Sequence, residues 1–174
     1  MQTSKQKNHL KNFVAFSLVM YAVIGFSSQA FSSEGVKHFM WAVSAFFMII
    51  GSTLLSSKLT RADNDFPAAG FIILSIGQAM SYGFIATHDA GNEQFGAVIA
   101  IYIPGLILIS FYNLVPWFLR ISGFLSALCF TILAILIYKG SAQTAIADGF
   151  TSGAFMAMNI AIVGWAWLVY KNRI

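Results

Sequence analysis

A chain of 174 residues that is 58% hydrophobic and 9% charged is too apolar for a soluble globular domain, in which roughly a quarter of residues carry charge. Its formal charge of +4 and isoelectric point near 9.3 exclude nothing about lipid but do not point to nucleic acid, because the cations gather at the ends of apolar runs and form no soluble basic patch. A mean hydropathy of +0.75 is what a lipid-facing surface requires.

Apolar stretches follow one another in chain order at Asn12–Phe31, Lys37–Ser57, Phe66–Thr87, Phe95–Leu114, Pro116–Tyr138 and Ala147–Tyr170. Each has the ~20 residues that a helix needs to cross ~30 Å of hydrocarbon. Backbone groups there must bond within their own segment, which predicts helices. The expected fold is all-α: one transmembrane domain over residues 1–174, a polytopic bundle of six transmembrane helices with the lipid bilayer as its surroundings.

The first span follows Lys5, Lys7 and Lys11 and ends in Ser28-Gln29-Ala30, small residues at the spacing of a signal-peptidase site. That grammar has low specificity, and we read the segment as a retained span; its removal would leave five. The second span leads into the inner loop Lys58–Asp65. The third carries Gln78 near its middle, with Ser75, Ala79 and Gly83 on one stripe and Gly77 and Ser81 on the next. The outer loop Thr87–Gln94 follows. In the fourth span Pro104-Gly105 predicts a kink, because proline removes an i to i−4 bond; it serves either as a pore-lining bend or as a static packing feature. Pro116 opens the fifth helix after a tight turn, where a missing N–H costs nothing. Cys129 lies in the middle of that helix as a small apolar filler, and Arg120 is placed to snorkel to the membrane surface.

The sixth span has the sharpest pattern. Gly149, Gly153, Ala157 and Ala161 recur every fourth residue, a stripe that lets another backbone approach closely. We expect the third and sixth helices to form the tightly packed pair, or the stripe to form an oligomer contact. Asp148 sits at the start of this helix, where the dipole favours an acid. Tyr102 and Asn159 correspond in a faint internal repeat, Gly96–Ile103 against Gly153–Ile160, which suggests three pseudo-repeated hairpins.

Lys5, Lys7, Lys11, Lys58, Arg61, Arg120, Lys171 and Arg173 fall on one side of the spans, and Lys37 and Lys139 on the other. This bias predicts cytoplasmic termini, and the short loops fit a bacterial inner membrane. Trp41, Tyr82 and Tyr138 are expected in the outer aromatic belt, with Trp117, Trp165, Trp167 and Tyr170 in the inner one.

No Lys, Arg, Asp, Glu or His lies near the centre of any span. This argues against ion-coupled carriers, which place such groups at mid-depth, and against haem bundles, which need axial ligands inside helices. His38 with Glu34, and His88 with Asp89 and Glu93, read as solvated outer clusters. Thr151-Ser152-Gly153 lacks the preceding glycine and following histidine of a membrane serine protease. Asp148-Gly149 lacks the later aspartates of a phosphatidyltransferase. Catalysis therefore has no constellation, and no enzyme, metal or cofactor is expected. The deepest polar groups are the amides of Gln78 and Asn159, costly in lipid unless hydrogen-bonded. They act as interhelical glue or line a path. The reading is a channel or facilitator for a small neutral or weakly charged solute, passing Gln78, Tyr102, Pro104 and Asn159. The alternative is a non-catalytic scaffold or accessory subunit, with a homo-oligomer or a membrane partner.

Overall fold

The computed structural model describes residues 4–87, 91–140 and 145–173, with 4–7, 84–87 and 145–147 as backbone alone. Among these residues the elements are α1 (Ser4–Ser27), a 3-10 turn at Ser28–Ala30, α2 (Glu34–Thr60), α3 (Asp65–Thr87), α4 (Asn92–Ser110), α5 (Trp117–Tyr138) and α6 (Ala145–Tyr170), with no strand. The chain is an all-α polytopic membrane protein. Five of the helices are long and apolar enough to span a bilayer. The remaining one, α3, carries Asp65, Pro67, Gln78 and Ser81 and packs between α2 and α4 as part of the same bundle.

The helix ends follow from local chemistry. Asp63 and Asn172 take left-handed backbone angles, φ 56 and φ 52, a conformation that Asp and Asn tolerate better than most residues. Beyond each, an amide returns to the last helical turn: Asn64 N–H to the Leu59 carbonyl and Arg173 N–H to the Leu168 carbonyl, both 3.0 Å. These are Schellman endings, which satisfy carbonyls the helix leaves open. Arg120 does not reach for the membrane surface alone. Its Nε donates to the Ser110 carbonyl at 2.9 Å, so it caps α4 from α5.

Each helix packs on its neighbours in sequence, and α6 returns to α1, so the six form a closed ring. Serine hydroxyls tie the seams. Ser44 donates to the Tyr21 carbonyl at 2.8 Å, Ser56 to Ala68 at 2.8 Å, Ser122 to Ala157 at 2.6 Å and Ser126 to Ala154 at 2.8 Å. Such contacts hold the bundle in place of a hydrophobic drive, which lipid largely removes. Each is worth about 0.6–1.7 kcal/mol. Ser122→Ala with Ser126→Ala should therefore destabilise the α5–α6 seam by about 1–3 kcal/mol, read from thermal unfolding in detergent; an unchanged midpoint would show that packing alone holds these helices.

The expected α3–α6 pairing is not found. The two helices lie across the ring and meet through side chains at the cation-rich end, where the Phe71 and Trp165 rings are 5.1 Å apart and edge to face. The stripe on α6 divides. Ala157 and Ala161 are buried, and Ala157 accepts the Ser122 bond on the α5 side. Gly149 and Gly153 are exposed, and an added Cβ at either would meet nothing within 4 Å. The close approach that the stripe was expected to serve belongs to α3 and α4 instead. An added Cβ on Gly70 would lie 2.8 Å from the Gly105 carbonyl, and one on Gly105 would lie 3.1 Å from the Gly70 carbonyl.

Trp165 leaves the aromatic belt for the core, 1% exposed, stacked on Tyr112 at 5.7 Å. Together with Phe71, Leu106, Ile109 and Leu59, all buried, it fills the cation-rich half of the ring. Trp117, Trp167, Tyr170, Tyr82 and Tyr138 are exposed as a belt requires.

Candidate chamber in the ring

The other half of the ring is hollow. A cavity of about 770 Å³ is lined by α1, α2, α3, α4 and α6. Helix α5 contributes no lining residue there. Its Phe130 is screened by Tyr102 at 5.5 Å and by Phe155 at 5.1 Å, and those two rings face the cavity in its place.

Three of the residues expected to mark a path meet in this chamber: Gln78, Tyr102 and Asn159. Each sits near the midpoint of its own helix, so the floor lies close to mid-depth of the bundle. Gln78 stands beside the Tyr21 hydroxyl. The Tyr102 hydroxyl and Ser81 Oγ are 3.1 Å apart, and the Tyr102 ring lies over Gly77, where an added Cβ would stand 2.6 Å from Cε1. Gly77 and Ser81 thus serve packing by seating Tyr102. Asn159 Oδ1 is buried and has no hydrogen-bond partner among the described residues. The two amides differ in exposure: Gln78 is 5% exposed, and Asn159 is half-buried with its Oδ1 shielded from the cavity.

Pro104 is not part of this arrangement. It is exposed on the outer face of α4 and does not line the cavity, and α4 runs unbroken from Asn92 to Ser110 around it. A proline on the outward face lets the freed carbonyl and the missing amide be accommodated without turning the bend toward the interior. The repeat has a mixed counterpart. Tyr102 and Asn159 both line the chamber, whereas Gly96 would set a Cβ 3.0 Å from Ile137 and Gly153 has open space.

Several lining residues have a different place from the one expected. Trp41 and His38 lie in the chamber wall, with their rings 5.7 Å apart, while Glu34 turns to Lys37 at 2.7 Å. Gln29, inside the apparent signal-peptidase pattern, lines the cavity, as do Thr151 and Ser152. Tyr21 and Ser44 were not singled out in the sequence at all. Their signal was a hydroxyl flanked by apolar residues in the middle of a span, a pattern shared with serines that only tie seams. His88 and Asp89 lie outside the described residues.

Among the described lining residues there is no Lys, Arg, Asp or Glu. The wall offers amides, hydroxyls and aromatic faces, which can hold a neutral molecule by hydrogen bonds and stacking. Among the described residues no group of three or more His, Cys, Asp and Glu comes together. No family model, curated protein or solved structure matches the chain.

Proposed function

We propose that this chain is an integral membrane channel or facilitator for a small neutral or weakly charged solute. The observation that carries the reading is the one-sided chamber of about 770 Å³ with Gln78, Tyr102 and Asn159 on its floor. Most membrane helices close on one another, and a hollow with polar groups at mid-depth is costly to keep unless something occupies it. The cation bias supports cytoplasmic termini, with the chamber facing away from the cytoplasm. Below the floor the Phe71–Trp165 layer closes the route, and passage requires that layer to part, as a gate does. In this reading the protein is not an enzyme.

Stopped-flow swelling of proteoliposomes tests it, with glycerol, urea, acetate and potassium chloride as solutes. Glycerol or urea should enter at least about tenfold faster than into empty liposomes, with potassium chloride excluded for want of any charged group along the route. Folded, inserted protein that speeds none of them overturns the proposal.

A second reading, a scaffold or accessory subunit, is favoured by one observation: Gly149 and Gly153 leave a strip of α6 that this chain does not cover.

A further inference from the structure

The chamber wall is not equally complete on every side. The seam between α1 and α6 is held at the cation-rich end, where Lys11 Nζ lies 5.8 Å from the centre of the Tyr170 ring. Along the chamber both helices contribute lining residues. Phe26 of α1 and Met156 of α6 both line the cavity and are 55% and 56% exposed. Ser152, one turn from Met156, lines it too and is exposed. A side chain that borders a cavity and the outer surface at once marks a gap. Met156 lies near the middle of α6, so this gap stands at the depth of the acyl chains and not of the headgroups.

The contents of the chamber fit what could enter there. Its volume lies within the range that holds drug-sized ligands, about 300–1,000 Å³; urea or acetate would leave it mostly empty. Trp41 and Phe155 offer ring faces, which favour offset or edge contact with another ring. The Asn159 amide lies in the same wall, and a polar group among apolar ones favours a ligand that carries a hydrogen-bonding group of its own.

We infer that the chamber opens sideways to the bilayer between α1 and α6, and that its ligand is an uncharged, ring-bearing amphiphile taken from the membrane, its polar group beside the Asn159 amide and its apolar tail leaving past Phe26 and Met156. This rests on the reading of the cavity as a solute chamber, and it names the class of solute and the door.

Two labelled probes share one head and differ in tail: phenol and para-octadecylphenol. The second cannot leave the bilayer. Binding is measured by scintillation proximity on the full chain in nanodiscs. Both probes should bind saturably. Ser152→Phe with Met156→Trp adds bulk at the gap on exposed positions; it should weaken the long-tailed probe at least about tenfold more than it weakens phenol. Saturable phenol binding without any by para-octadecylphenol would overturn the sideways door and leave the chamber standing. Equal loss of both probes in the double variant would also overturn the door. Failure of both probes to bind the unaltered chain would overturn the ligand class, and the swelling measurement then decides separately whether the chamber passes other solutes.

Discussion

Gly70→Leu is expected to unfold the bundle in detergent, whereas Gly153→Leu should leave its thermal midpoint unchanged. At Gly70 an added Cβ would meet Ile109 Cγ2 at 2.7 Å and the Gly105 carbonyl at 2.8 Å. A flexible side chain can swing aside, but a backbone carbonyl moves only with its helix. Overpacking a fitted site costs about 1–3 kcal/mol and sometimes more, and here the cost falls at the top of that range because α3 and α4 must separate. Separation also disturbs the seat of Tyr102, which lies over Gly77 and meets Ser81 on the same seam. At Gly153 nothing stands within 4 Å, so a leucine there should shift folding by no more than about 0.5 kcal/mol. Fluorescence-detected size exclusion after a heating series reads both variants. The reverse ranking would return α6 to the role of a packing face. The same Gly153→Leu protein also tests the accessory reading: a partner or a second copy lost from it in native mass spectrometry, with the fold intact, would favour that reading over transport.

The contrast shows how far the sequence could be read. Six apolar runs of membrane length reveal six helices because hydrocarbon leaves the backbone no other option. Most helix ends were legible within a few residues, since Lys58, Arg61 and Pro116 mark where the apolar text breaks off; α1 starts at Ser4, well before the apolar run that opens at Asn12. Which helices touch was not legible. The Gly149–Ala161 stripe and the pair Gly70 and Gly105 obey the same rule of small residues at interfaces, and the rule does not say which partner arrives. In a closed ring that choice is made by order along the chain, so α3 meets α4 and α2 rather than α6. The amides were legible as inward-facing because exposure to lipid is so costly. What each amide meets was not legible: Gln78 stands beside Tyr21, a residue on another helix, and Asn159 Oδ1 is buried without a partner among the described residues. Trp165 was misplaced for a similar reason. Its position near the end of a span fits the belt, but its face points into the ring, and facing is a property of the packed bundle.

Asn159→Leu should make the protein more stable and less active. The Asn159 acceptor is buried without a partner, and an unmet polar group in a dry site costs about 1–3 kcal/mol. Leucine removes that cost and adds apolar contact beside Met158 and Ile162, both fully buried. A gain of about 1 kcal/mol corresponds to a rise of about 2–4 °C in the midpoint for a chain of this size. The same substitution deletes the acceptor on the chamber floor and narrows the space below Phe155. Solute entry in the swelling measurement should fall by about tenfold or more. Glue and path make opposite forecasts here. If Asn159 were structural glue, its loss would lower the midpoint, and any loss of flux would follow from loss of fold. If it serves the solute, stability and flux move in opposite directions, as they do where a site holds a group in a strained or unsatisfied state for the sake of its ligand. A lowered midpoint with parallel loss of flux would therefore assign Asn159 to the scaffold and remove it from the chamber's chemistry.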